Sequence, residues 1–104
     1  MDVFEAIATP TRRRLIELLS DGEHTVGELV SDSGVSFSAI SQHLRILSEA
    51  NIVASRRDGR QQIYRFKPES IDPVADWVAV RARRFWRKKL QSLSDVLARI
   101  QHES

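Results

Sequence analysis

What most restricts this chain is a hydrophobic period that changes twice along its length. Up to Asn51 the apolar residues recur at helical spacing, through 52–67 the spacing is that of strands, and from Asp72-Pro73 to Ile100 the helical spacing returns. In the middle segment Asp58-Gly59 separates Val53-Ala-Ser-Arg-Arg57 from Arg60-Gln-Gln-Ile-Tyr-Arg-Phe66, a strong two-residue hairpin signal. A turn centred there sets Arg57 opposite Arg60 and Val53 opposite Tyr64. Two arginines facing each other repel unless an anion or solvent lies between them. The chain is expected to be mainly α with a small β-hairpin.

Turn and capping residues divide the first helical stretch. Val3, Phe4, Ile7 and Ala8 predict a short helix over 2–8. Thr9-Pro10 restarts the chain, the threonine as N-cap and the proline where a missing N–H costs nothing. Leu15, Ile16, Leu18 and Leu19 give the next helix its apolar face, and Asp21-Gly22 ends it. Thr25-Val-Gly-Glu28 reads as a capping box opening a helix of about two turns through Val26, Leu29 and Val30, with Gly34 as its left-handed stop.

Ser36 is the next cap, and Asn51 can take the left-handed position that closes the helix it opens. At about 100° per residue, Phe37, Ile40, Leu44 and Leu47 share one face. Ser38, Ser41, Gln42 and Arg45 share the other, with His43 on the flank. That outer face is short, neutral and rich in hydrogen-bonding groups.

Asp72-Pro73 is a second cap-and-proline start. Val74, Trp77, Val78, Phe85, Trp86, Leu90, Leu93, Val96, Leu97 and Ile100 extend one helical pattern over 73–100. Such a helix spans roughly 42 Å, more than a chain this small can cover, so part of its apolar stripe is expected to meet another chain. A bend near 83–86 would fit the pattern.

Charge narrows the partner. The net +2 is divided into −4 over residues 1–35, +4 over 36–67 and +2 over 68–104. Positive charge thus gathers on the segment with the bare polar face and on the hairpin after it, which suits a polyanion as well as a merely solvated surface. There are no cysteines, which excludes disulfides, thiolate metal sites and thiol catalysis. No apolar run reaches the roughly 18 residues of a membrane span and no leader opens the chain, so the expected setting is the cytoplasm, without membrane attachment. Serine, histidine and aspartate occur without a nucleophile elbow or a Gly-rich phosphate loop, so no enzyme is expected.

Helix, short turn, helix, hairpin is the order of a winged helix-turn-helix, here with core 9–67 in a single domain of 1–104. Small polar side chains let a helix settle into a major groove. Gln42 can donate to and accept from an adenine edge, Arg45 suits guanine or phosphate, and Ser38 and Ser41 suit a base or a backbone oxygen. Arg57 and Arg60 would reach flanking phosphates or the minor groove. The predicted DNA-binding set is Ser36, Ser38, Ser41, Gln42, His43, Arg45, Arg57 and Arg60.

Ala8-Thr-Pro-Thr-Arg-Arg-Arg-Leu15, Ser41-Gln-His-Leu-Arg-Ile-Leu47, Glu49-Ala-Asn-Ile-Val53 and Arg56-Arg-Asp-Gly-Arg60 resemble ArsR/SmtB-type bacterial repressors over about residues 2–100. Phe85-Trp86 with Leu90, Leu93 and Leu97 further resembles the branch linked to START-like (SRPBCC) proteins. The resemblance implies a homodimeric repressor on an inverted-repeat operator, paired through its terminal helices by Phe4, Trp77, Phe85, Trp86, Leu90, Leu93 and Leu97. The chain departs from that pattern in three ways. It lacks the cysteines and paired histidines of the family's metal sensors, so neither a metal nor a cofactor is expected. Phe37-Ser38 replaces a common Gln-Pro, and Asn51 replaces the usual glycine.

Several residues admit two readings. His43 touches phosphate or packs at its helix edge, while His24 is read as a loop residue and His102 as terminal. Trp77, Phe85 and Trp86 form an interface or line a ligand pocket. Arg12, Arg13 and Arg14 meet phosphate or an acid partner at a helix start, where positive charge opposes the dipole. Arg81, Arg83, Arg84, Arg87, Lys88 and Lys89 are a solvated face or a membrane-surface face. For the whole chain the alternatives to a repressor are a protein-interaction module using the last helix and a sensor of an unidentified non-metal effector.

Overall fold

Local capping chemistry sets where the helices begin and end. In the computed structural model, which describes residues 1–103, α1 (Val3–Ala6) is capped by Asp2, whose carboxylate accepts from the Glu5 N–H at 2.8 Å. It is shorter than the predicted 2–8, because Thr9 precedes a proline and is extended, at φ −108° and ψ 143°. Thr9 Oγ1 accepts from the Arg12 N–H at 3.2 Å and opens α2 (Pro10–Ser20).

The Thr25/Glu28 capping box opens α3 (Val26–Ser33), and Gly34, at φ 71°, closes it with an N–H to the Val30 carbonyl at 3.0 Å. Ser36 caps α4 (Phe37–Glu49). Asn51 takes the left-handed conformation at φ 63°. Its N–H reaches the Ser48 carbonyl at 3.0 Å and the Ile52 N–H reaches Leu47 at 2.9 Å, the two bonds of a Schellman stop.

β1 (His24–Thr25), β2 (Val53–Asp58) and β3 (Gln61–Phe66) form an antiparallel sheet in the order β1-β3-β2. His24 is therefore not in a loop, as expected, but paired with Tyr64. Two residues are too few to show alternation in sequence.

The hairpin register also differs from expectation. Val53 faces Phe66, not Tyr64, and Arg57 faces Gln62, not Arg60. Asp58 pairs with Gln61, so the turn is Gly59-Arg60, with the glycine at φ 63° in the first central position, where a II′ turn takes one. Asp58 stays in the strand, and the two arginines no longer oppose each other. Each partner moves by two residues, so every side chain keeps its face.

Ala6, Leu15, Leu19, Leu29, Ile40, Leu44, Leu47, Ile52 and Val53 make the buried core of the first unit, Met1–Asp72. Phe37 does not join them. Its side chain is 62% exposed, against 0% for Ile40, Leu44 and Leu47. It is the first residue of α4, and on the helical wheel it lies at the rim of the apolar face.

α3, the Gly34 turn and α4 form the helix-turn-helix, and β2–β3 is the wing of a winged helix-turn-helix. A 3₁₀ turn, Pro68–Ile71, then runs straight into α5 (Asp72–Glu103). Asp72 is already helical, at φ −51° and ψ −43°, so it does not cap from outside as expected. The 32 residues of α5 span about 48 Å. Trp77, Phe85, Trp86, Leu90, Leu93 and Leu97 are all exposed along it. No described helix is long and apolar enough to cross a membrane.

Candidate nucleic-acid interface

The outer face of α4 exists because its inner face is fully committed. Ile40, Leu44 and Leu47 are buried at helical spacing, which turns Ser38, Gln42 and Arg45 to solvent and leaves Ser41 at the margin. Among the described residues no side-chain hydrogen bond engages Ser38, Ser41 or Gln42, so their donors and acceptors are open to an incoming ligand. Ser36 Oγ is occupied as the helix cap, accepting from the Ala39 N–H at 3.3 Å, while its hydroxyl proton stays available. Arg45 pairs with Glu49 at 3.5 Å across one turn. Both side chains are well exposed, and such a pair is weak enough to exchange for a stronger anion.

His43 leaves this face for the flank, as its position on the wheel requires. It is half-buried, with Nδ1 3.4 Å from a terminal nitrogen of Arg12. A guanidinium can only donate, so Nδ1 accepts and Nε2 carries the ring proton. Burial, and then the neighbouring Arg12 charge, hold the imidazole below the ordinary histidine value.

For Arg12 the sequence allowed a phosphate or an acid partner. Instead it is only 7% exposed, and it donates through Nε to the Ala6 carbonyl at 2.5 Å and through Nη2 to the Glu5 carbonyl at 3.3 Å. The Ala6 carbonyl lies at the end of α1, where helical partners run out, and the Glu5 carbonyl also accepts from the Ala8 N–H at 3.1 Å. One buried guanidinium thus ties α1, α2 and α4 together. Arg13 donates to the Ile7 carbonyl at 2.8 Å, and Arg14 pairs with Glu17 at 3.2 Å. Arg12 is structural while Arg13 and Arg14 stay exposed, and a repeated arginine in sequence gives no sign of which copy turns inward.

On the wing, four arginines follow two fates. Arg56 is held by Glu23 at 2.9 Å, a contact made possible by the unforeseen pairing of β1 with β3. Arg57, Arg60 and Arg65 are exposed, and among the described residues none of them forms a salt bridge. Two uncompensated positive charges therefore sit at and beside the hairpin turn. Between wing and helices lies a concavity of about 300 Å³, lined by Thr25, Val26, Gly27, Phe37, Arg60, Gln61 and Gln62. Among the described residues no three His, Cys, Asp or Glu side chains come together as a metal site would need.

Comparison with known proteins gives consistent results. The model of the family described as "Bacterial regulatory protein, arsR family" matches residues 9–55, from the cap of α2 into the wing. The chain is 34% identical over 96 residues to the HTH-type transcriptional regulator Rv2034 of Mycobacterium tuberculosis, covering 90% of this chain and 84% of that protein. It is 32% identical over 77 residues to the transcriptional repressor SdpR of Bacillus subtilis, covering 74% and 86%. The crystal structure of a possible transcriptional regulator for arsenical resistance superposes with a TM-score of 0.66 at 46% identity, covering 83% of this chain and 85% of that one.

Proposed function

Because this chain belongs to the arsR family of bacterial regulatory proteins, we propose that it is a homodimeric, sequence-specific transcriptional repressor rather than an enzyme. The observation that carries this reading is the polar face of α4, with Ser38, Ser41 and Gln42 unengaged, beside a wing whose Arg57 and Arg60 form no salt bridge among the described residues. α4 enters the major groove, where Gln42 and Arg45 read base edges and Ser38 and Ser41 bond to bases or the backbone. Ser36 and His43 Nε2 donate to phosphates at the groove rim. Arg57 and Arg60 grip the flanking backbone or minor groove.

Pairing between two copies uses the apolar stripe of α5, with Trp77, Phe85, Trp86, Leu90, Leu93 and Leu97, and Phe4 of α1. The exposure of these large side chains supports that reading, since exposed apolar patches of this extent mark interaction surfaces. Two-fold symmetry then sets the recognition helices about 34 Å apart on an inverted repeat. The Phe85-Trp86 and leucine pattern supports a narrower place in the branch linked to START-like proteins. Such a repressor works where the chromosome is, in the cytoplasm.

The test is selection of bound sites from random DNA, followed by fluorescence anisotropy on the winning site and a scrambled copy. Binding at least about 1,000-fold tighter to the selected site is expected at physiological salt. Light scattering of the free protein should give about twice the chain mass of 11.9 kDa. Equal affinity for both DNAs sinks the specific reading, and a monomer at micromolar concentration sinks the dimer.

A further inference from the structure

Phe37 is the residue whose placement the fold alone does not account for. A phenylalanine at the start of an amphipathic helix normally turns into the core, yet this ring is 62% exposed while its expected companions are wholly buried. Its surroundings are those of the proposed DNA-reading surface. One turn along α4 it stands over Ser41, and Ser38 follows it in sequence. Across the concavity stand Arg60, Gln61 and Gln62 of the wing. The ring therefore lies at the N-terminal end of the recognition helix, the end that contacts base edges in helix-turn-helix proteins.

The chemistry of that position is selective. Phenylalanine offers no hydrogen bond, so it cannot read the donors and acceptors that distinguish most base edges. The major groove presents one apolar feature at a base edge, the C5 methyl of thymine. Beside the ring, Ser38 and Ser41 keep free hydroxyls and Arg60 supplies uncompensated charge. An apolar contact here is thus framed by groups suited to the neighbouring base and phosphate. An apolar protein partner would meet those charges and hydroxyls unpaired.

We propose that Phe37 is a specificity-determining residue that packs its ring against the C5 methyl of a thymine in each operator half-site. This rests on the reading that α4 occupies the major groove. It also gives a physical reason for an exposed aromatic side chain here. The ring is covered only when DNA is bound, and it rejects cytosine, whose edge in the groove carries a donor and no methyl.

The experiment replaces operator thymines one at a time by deoxyuridine, which removes the methyl and leaves base pairing unchanged. The operator is the site selected with the full-length protein, and affinities are read by anisotropy. One thymine position per half-site is expected to lose about fourfold on replacement, the worth of one buried methyl group, and about fifteenfold when both half-sites are changed. Phe37→Ala should bind the thymine operator that much more weakly and show no further loss with uracil there. Phe37→Leu, which keeps an apolar side chain, should retain part of the methyl sensitivity. Specific binding in which every uracil substitution acts equally on wild type and Phe37→Ala overturns the proposal and leaves the repressor reading standing. Failure to select any sequence overturns both. Thermal unfolding of Phe37→Ala near the wild-type temperature, as its exposure requires, shows that lost recognition is not lost folding.

Discussion

Counterion release gives the wing a quantitative signature that sequence identity with other regulators cannot supply. Each phosphate neutralised by a protein charge lowers the slope of log K against log[salt] by about 0.9 on duplex DNA. Arg57 and Arg60 are exposed and form no salt bridge among the described residues, so each is free to neutralise one phosphate per subunit. In a dimer, Arg57→Ala should make the slope shallower by about 1.8, and the Arg57→Ala/Arg60→Ala pair by about 3.6. Between 50 and 200 mM salt, 1.8 in slope corresponds to roughly a tenfold difference in how much affinity is lost.

Arg56 supplies the internal control. It lies on the same strand, but Glu23 holds it at 2.9 Å, so its charge is already partly neutralised. Arg56→Ala should therefore change the slope much less than Arg57→Ala. Anisotropy titrations at four or five salt concentrations measure all these slopes. A wing that contacts no phosphate leaves the slopes of both wing variants at the wild-type value. A loss at Arg56 as large as that at Arg57 refutes the distinction drawn from the ion pair. A decrease of about 0.9 in place of 1.8 indicates that one wing, not two, engages the DNA.

Two further outcomes concern the scaffold behind the reading face. Arg12→Met keeps the apolar stem but strips the Ala6 and Glu5 carbonyls of a charged donor; a loss of about 2–3 kcal/mol is expected once the relieved desolvation of the guanidinium is set against it. For a chain of this size that is a fall of about 10–20 °C in Tm, measured by calorimetry at fixed protein concentration, and a fall under about 3 °C contradicts the bonding scheme. His43 is held below the ordinary histidine value by burial and by Arg12, so the folded state prefers the neutral ring. Its contribution is complete above the unfolded value near pH 6.5 and is lost as pH falls below it through the folded value. Wild type should accordingly lose more Tm between about pH 7 and 5 than His43→Gln does, and parallel curves for the two would show that the imidazole is not coupled to folding.

What could be read from the sequence divides along the range of the interactions involved. Thr9, Thr25, Ser36, Gly34 and Asn51 each act on backbone groups within a few residues, and each performs the capping or terminating role its identity suggests. The helix-turn-helix and the wing follow from those signals plus hydrophobic period, so the fold was largely legible. The misreadings of His24 and Arg12 involve partners distant in sequence. His24 becomes a strand residue only because β3 offers an edge to it, and that pairing then brings Glu23 to Arg56, 33 residues away. Arg12 is indistinguishable from Arg13 and Arg14 until α4 presents His43 beside it.

The hairpin shows why a local error can leave function readable. Asp58-Gly59 and Gly59-Arg60 are both plausible two-residue turns, and the choice between them moves each partner by two. Parity is preserved, so the inward face of the wing is the same under either turn, and Arg57 stays exposed. Phe37 shows the opposite case. Its position at the rim of the wheel made core and surface nearly equal on periodicity, and the packing of Ile40, Leu44 and Leu47 decided it. That packing leaves the ring mostly outside, at the end of a helix whose other outward groups are all polar. The constraint proposed for it comes from what the helix meets, and that is why the uracil substitutions test it more sharply than any measurement of stability.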